Sequence, residues 1–412
     1  MIKRSTLWIG PFACLAMAAA SVAVAPRAEA DTVKVGVILP FSGMAADVAQ
    51  SALRAMKLYY KLHKAELGGH DIALIERDSK EASGATAATL SRELVVQDKV
   101  DMLVGYQFSP DAIASAAFAT QAKKPMILVN AQASYITKLS PYIVRLSASS
   151  WQITYPMGAY AFEKLGCKSA IVGYTDFAPG RDVLAAFKAG YEKAGGKLVD
   201  AIAMGGPAQV PDFTPYLQRI KDQKPDCTYI FTPAASFNAA LARAYRDQKL
   251  AEAGIRFLGT GDVTQDSVLP QLGDNAVGWI TAGHYTADLD TPENKKFVAA
   301  WTAEYGDKIR PDFFTVQGYD AMAAVFHVVK TLNGKIDPEK AVAALKGWKF
   351  ASPRGPIAID AETRDIIQNI YVQKVVKIGD RLGIQVLDTI PAVKDPCKAL
   401  GVGQCGAAAP GK

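Results

Sequence analysis

The residues best suited to chemistry lie between Val100 and Ala119, where a short apolar run ends in Gly105 and a helix of small residues opens at Ser109-Pro110. The apolar half has the profile of a buried parallel strand. Ser109 is an N-cap residue type, and Pro110 suits the first helical position. A strand-to-helix turn of this kind presents backbone N–H groups and a serine hydroxyl at the carboxyl edge of a sheet, where a small anion sits on a helix N-terminus. The same residues also suit a plain cap, in which Ser109 serves only its own helix.

No catalytic constellation accompanies that turn. The histidines, His63, His70, His284 and His327, are scattered, with no H-E-x-x-H and no Cys/His cluster, which argues against a zinc site. There is no P-loop and no G-x-S-x-G elbow. One G-x-G-x-x-G, Gly401 to Gly406, has neither a strand before it nor a helix after it and reads as chance. The expectation is a protein that is not an enzyme and holds no metal or cofactor.

The elements that position Ser109 follow a βα rhythm. Val33 to Pro40 predicts a first strand, with Phe41-Ser42-Gly43-Met44 at its carboxyl end and a helix running on through Leu62. Asp71 to Asp78 predicts a strand, Gly84 to Val96 a helix, and Met126 to Asn130 a strand ending in the loop Ala131-Gln132-Ala133-Ser134. With no hairpin signals, this order predicts a doubly wound parallel sheet. After a short strand from Ile143 to Ser147 the rhythm begins again: strands at Cys167, Lys197, Cys227 and Arg256 alternate with helices from Arg181, Phe213 and Asn238. Beyond Tyr285 helices dominate, at 292–305, 315–332 and 338–345, before strand-like segments from Gly355 and Ile370.

Composition bounds the rest. Lys3 and Arg4, the apolar stretch from Leu7 to Val24 and the Ala28-Glu29-Ala30 site form a cleaved signal peptide, residues 1–30, which places the protein in the periplasm. The full chain carries +6; losing three cations and one anion with the signal leaves +4, scattered, which points to solubility rather than to a nucleic-acid surface. The remaining length suits two domains. Four cysteines are left in an oxidising compartment. Cys397 and Cys405 close a short tail loop as a disulfide, whereas Cys167 and Cys227 are either a second pair or buried thiols.

Taken in order, Val35-Gly-Val-Ile-Leu-Pro-Phe-Ser-Gly, the Gly105–Ser109 turn, Val199 to Phe213, Asn294-Lys-Lys-Phe-Val-Ala-Ala-Trp and Gln317-Gly-Tyr-Asp-Ala-Met resemble the branched-chain amino-acid (Leu/Ile/Val) binding proteins of ABC transporters and their amide, urea and aromatic-acid binding relatives. The resemblance spans the mature chain. It implies a type I periplasmic binding fold: two α/β lobes with doubly wound parallel sheets, joined by a three-crossing hinge. The expected lobes are 31–147 with about 284–355, and 148–283 with about 356–395, leaving 396–412 as the tail. Ser109 then matches a serine that hydrogen-bonds a ligand carboxylate, Ala133 and Ser134 match the next strand's ligand-contacting loop, and Phe41 and Ser42 match the first loop lining the pocket.

The second lobe departs from the amino-acid pattern. Pro179-Gly180 stands where amino-acid binders carry Tyr-Gly, and the segment aligned with their ammonium-pairing glutamate reads Gly259-Thr-Gly-Asp262. Either Asp262 does that work one position late, or the ammonium pocket is lost, since a buried ammonium needs an anionic partner. Tyr106, Phe108, Phe177, Phe237 and Tyr285 fall at strand ends or crossings and suit the walls of a site for a flat apolar acid. The expected protein is a monomer that captures a small carboxylate, aromatic or otherwise apolar, and hands it to an inner-membrane permease. The alternatives are a branched-chain amino acid as ligand or, in other classes, a ligand-sensing receptor subunit or a secreted enzyme.

Overall fold

The computed structural model describes residues 1–2, 5–8, 32–402 and 405; the expected cleavage site and mature start lie outside the described residues. The first lobe is built from β1 (Thr32–Leu39), α1 (Ala46–His63), β2 (Asp71–Asp78), α2 (Gly84–Val96), β3 (Met102–Gly105), α3 (Ser109–Gln121), β4 (Met126–Leu128) and β5 (Ile143–Arg145). All its strand pairs are parallel, in the order β2-β1-β3-β4-β5. The reversal of direction between β1 and β3 opens a crevice at their carboxyl ends, where open α/β sheets bind ligands.

The second lobe repeats the scheme with α4 (Ser150–Glu163), β6 (Ser169–Tyr174), α5 (Ala178–Lys193), β7 (Lys197–Ala203), α6 (Thr214–Gln223), β8 (Cys227–Phe231), α7 (Ala235–Asp247), β9 (Arg256–Thr260), the single turn α8 (Leu269–Leu272) and β10 (Ile280–Gly283). Its parallel strands run β7-β6-β8-β9-β10, the same order of first to fifth strand as in the first lobe. Helix α4 has no counterpart in the sequence expectation. It opens on a capping box in which the Ser149 hydroxyl accepts the Gln152 N–H and the Gln152 side chain accepts the Ser149 N–H, a local signal that satisfies two end donors at once.

The chain then returns to the first lobe through α9 (Pro292–Tyr305), α10 (Phe313–Thr331) and α11 (Pro338–Leu345). Helix α10 is buried on nearly every side, as a helix apolar all round must be. It packs along α1 so closely that a Cβ on Gly318 would collide with the Ala52 carbonyl. β11 (Lys349–Ser352), β12 (Gly355–Ile359), β13 (Ile366–Ile378), β14 (Arg381–Val393) and α12 (Pro396–Leu400) complete the chain. These last strands pair antiparallel, with β13 joining β10, so the second sheet is mixed and nine-stranded rather than wholly parallel. The passage into the second lobe also falls later than about residue 356: Ile357, Ile359 and Ile366 bury in the first lobe's core, while Ile370 and Val372 bury in the second's. One long strand, β13, carries the crossing, and periodicity has no way to mark a change of core within a strand.

Two buried arginines hold these crossings. Arg354 donates to Asp320 on α10 at 2.7 Å, to Gln368 on β13 at 3.0 Å and to the Leu146 carbonyl beyond β5 at 2.8 Å. Arg145 donates to Asp365 at 2.8 Å and to the carbonyls of Ala133 and Ser134, each at 2.8 Å. Burial pushes the Asp365 carboxyl up, but Arg145 and Lys398 outweigh it and hold the group below the usual range. Cys397 bonds Cys405, as expected, and Cys167 bonds Cys227, which settles that alternative in favour of a second disulfide.

Replacing Arg354 with Leu strands the fully buried Asp320 without its cation, a defect that costs about 3–5 kcal/mol. Lys57→Ala removes only an exposed partner of Glu76 and costs under about 1 kcal/mol. Urea unfolding of the two variants is expected to separate them in that order.

Candidate ligand cleft

The β3–α3 turn is set by backbone geometry. Gly105 sits at φ 123°, and a Cβ there would strike the Ile38 carbonyl of β1. Tyr106 follows at φ 65°, and its hydroxyl meets Ser91 Oγ at 2.8 Å on α2. Held this way, the ring fills the core between α2 and α3 and turns Gln107, Phe108 and Ser109 outward into the space between the lobes. Ser109 does not cap its own helix. Phe108 occupies the N-cap position, and the Ser109 hydroxyl oxygen accepts the Ala133 N–H at 3.1 Å. The serine thus links the two loops of the crevice, with its own O–H still to donate.

The cleft is narrow and spanned by direct contacts. Gln132 Nε2, from the loop after β4, donates to Asp262 Oδ1, from the loop after β9, at 2.9 Å. The Ser134 N–H donates to Asp182 Oδ2 on α5 at 2.8 Å, and Trp151 Nε1 donates to the other Asp182 oxygen at 3.2 Å. Beside the Gln132–Asp262 contact lies a cavity of about 20 Å³, roughly the space of one water molecule. A ring enters such a space only as the lobes swing apart about the hinge. Gln107, Phe108, Ser109, Asn130 and Gln132 form its first-lobe wall. Opposite stand Phe177, Pro179, Phe231, Pro233 and Asp262, with the two phenylalanine rings stacked 5.9 Å apart.

Polar groups without partners collect here. Asn130 Nδ2 donates to the Gln107 carbonyl at 3.0 Å, but Asn130 Oδ1, Gln107 Oε1 and Asp262 Oδ2 are buried and unpaired. Burial pushes the Asp262 carboxyl up to about 6, the Gln132 donor pulling weakly the other way. A larger groove of about 890 Å³ runs between α1 and the β13–β14 turn. Much of its charge is already matched: Arg310 pairs with Asp266 and Asp288, Arg381 with Asp288, and Lys377 with Asp274. The small cavity, where strand ends and orphaned oxygens converge, is the better candidate site.

Of the residues singled out from sequence, Phe108, Ser109, Phe177 and Asp262 line this cavity. Ala133 and Ser134 lie one layer behind it, where Ala133 holds Ser109 and the Ser134 hydroxyl is buried without a partner. The Phe41 and Ser42 N–H groups bind Asp78 Oδ1 at 2.8 and 3.3 Å, which seats that loop on the end of β2. Three aromatics pack elsewhere: Tyr106 as described, Phe237 edge-on to Phe213 in the second lobe's core, and Tyr285 with its hydroxyl on Asn294 at 2.9 Å. Gln107, Asn130, Gln132, Pro179, Phe231 and Pro233 were not among the sequence candidates. Asn130, Phe231 and Pro233 stand within two residues of a strand's carboxyl end, a signal that applies to every strand of a doubly wound sheet.

Comparison with known proteins agrees with this fold. The sequence profile of the periplasmic binding protein family matches residues 32–380. The Leu/Ile/Val-binding protein homolog 6 of Brucella melitensis is 40% identical over 356 residues, covering 86% of this chain and 90% of that protein. An ABC-transporter solute-binding protein from Rhodopseudomonas palustris BisB5, solved in complex with 3,4-dihydroxybenzoic acid, is 42% identical with a TM-score of 0.85, covering 89% of this chain and 99% of that one. A solute-binding protein from R. palustris solved with benzoate is 31% identical with a TM-score of 0.80, covering 89% of this chain and 98% of that one.

Asp111, in the first turn of α3, is buried with neither carboxylate oxygen paired, and burial pushes its pKa up to about 7. A raised carboxyl favours the fold fully only below its ordinary range near 4, and that advantage is lost as pH rises to about 7. Between those limits the unaltered protein should lose up to about 1.4 kcal/mol of stability per pH unit relative to Asp111→Asn. Denaturant midpoints of both proteins across pH 5–8 check this; parallel curves would refute it. Separately, Ser109→Ala leaves the buried Ala133 N–H without its acceptor and should cost about 1–3 kcal/mol, read by the same method.

Proposed function

Because the chain belongs to the periplasmic binding protein family, we propose that it is the extracytoplasmic solute-capturing component of an ABC importer, with an aromatic carboxylate as its solute. The observation that carries the ligand class is the cavity wall. Phe108 flanks the Ser109 turn, Phe177, Phe231, Pro179 and Pro233 stand opposite it, and no Lys, Arg or His is among the lining residues. Aromatic walls with a few polar anchors suit a flat ring. The Ser109 hydroxyl supplies a donor for the carboxylate; Pro110 has no N–H, and the Asp111 and Ala112 N–H groups already bond the Phe108 carbonyl.

Capture works by hinge closure. The open first lobe takes the carboxylate at the β3–α3 turn, and the second lobe then brings Phe177, Phe231 and Asp262 over the ring. The closed form is the shape a permease in the inner membrane recognises, and delivery reopens the cleft. On this reading the protein binds rather than catalyses, acts as a monomer, and reaches the periplasm through the signal at 1–30. No helix among the described residues is long and apolar enough to cross a membrane.

A branched-chain amino acid is the second reading, favoured by one feature: Asp262, buried with a free oxygen, suits an α-ammonium group. Thermal unfolding of the mature chain with benzoate, hydroxybenzoates, leucine and valine separates the two. A ligand at a hundred times its Kd stabilises by about 2.7 kcal/mol. The expected result is a shift with aromatic acids and none with leucine or valine; a shift with leucine alone overturns the aromatic reading.

A further inference from the structure

We infer that Asp262 reads a ring hydroxyl, so that the preferred solute is a hydroxylated aromatic acid rather than an unsubstituted one; the inference rests on the aromatic-acid reading above. Its basis is an imbalance among the cavity's polar groups. Gln107, Asn130 and Asp262 line the cavity, are 3%, 7% and 5% exposed, and each has a side-chain oxygen without a hydrogen-bond partner. All three orphaned atoms are acceptors. With no cationic side chain in the lining, a ligand that brings its own donors is favoured, because a buried acceptor left unmade is costly.

A benzoate ion has no donor and leaves every one of these oxygens unmet. A phenolic O–H supplies one, and a hydrogen bond to a carboxylate is the stronger, charge-assisted kind. Asp262 is the group best held for it. Gln132 occupies its Oδ1, and the Asn238 side chain binds its backbone carbonyl at 2.7 Å, so the carboxylate is held in place, with the Thr260 hydroxyl beside it and Oδ2 making no hydrogen bond of its own. The topology also separates the two ends of the ligand. Ser109 lies on the first lobe and Asp262 on the second, so a ring with a carboxylate on one side and a hydroxyl on the other bridges the cleft. The hydroxyl contact then forms only on closure, tying recognition of the substituent to the closed shape.

The test is isothermal titration of the mature protein and of Asp262→Asn with benzoate, 3-hydroxybenzoate, 4-hydroxybenzoate, 3,4-dihydroxybenzoate and leucine. For the unaltered protein, the best hydroxylated acid is expected to bind about tenfold or more tighter than benzoate, since a site built around a hydroxyl discriminates against the analogue lacking it. Asp262→Asn retains an oxygen for Gln132 and is expected to erase that advantage while leaving benzoate affinity within about threefold. Equal binding of benzoate and all the hydroxylated acids by the unaltered protein overturns the inference, and so does a variant that weakens benzoate as much as the best hydroxylated acid. If the variant does not fold, the ligand series on the unaltered protein decides alone. Binding of leucine with no aromatic acid bound overturns the aromatic-acid reading itself, an outcome distinct from either of these.

Discussion

Two guanidinium groups with no access to water hold the joint between the lobes. Arg145 and Arg354 are each almost wholly buried, and each joins residues more than 200 positions apart in sequence. Buried charge is tolerable only when fully paired and hydrogen-bonded, so each arginine specifies where several backbone segments must lie. Arg145 takes the carbonyls of Ala133 and Ser134, and Ala133 in turn donates to Ser109. The position of the β3–α3 turn is therefore coupled, through three successive hydrogen bonds, to Asp365 just ahead of β13.

Two of the contacts across the cleft share a pattern. In each, a donor on the first lobe, the Gln132 amide or the Ser134 N–H, meets a carboxylate on the second lobe, Asp262 or Asp182. Both carboxyls are pushed up to about 6 by burial that their donors only partly offset. Burial of these two carboxyls thus outweighs the hydrogen bonds that they accept. A solute that supplies further donors to Asp262 offsets that burial in the closed form alone, and only such differential interaction shifts a conformational equilibrium. The phenylalanine and proline wall adds burial of apolar surface on closure without directional demands.

The relatives frame the chemistry without deciding it. Two of them were solved with 3,4-dihydroxybenzoate and benzoate, and another is a Leu/Ile/Val-binding protein homolog. The fold is a scaffold, and a handful of strand-end residues sets the solute. In this chain the second-lobe face carries Pro179 and Pro233 beside Phe177 and Phe231, a stiff apolar surface whose single carboxylate has no cation.

Much of the fold was legible in the residues themselves. The bounds of β2, α2, α9 and α11 match the sequence expectation, because each begins or ends on an unambiguous local signal such as Gly84 or a proline at the first helical position. The βα rhythm determined two doubly wound lobes, and Gly105 with Ser109 and Pro110 marked the turn that faces the cleft. Phe108, Phe177 and Asp262 were reachable from strand ends and the family pattern. What sequence alone left open was direction and partnership. Tyr106 and Phe237 sit at strand ends too, yet point into cores, because a residue's side of the backbone depends on the turn that precedes it and on what packs behind. Whether Ser109 caps its helix or binds Ala133, whether Cys167 meets Cys227, and where β13 changes cores are all decided by contacts between segments distant in sequence. Local propensity carries no information about such contacts; only the packed tertiary structure, in which buried polar groups must find partners, selects among them.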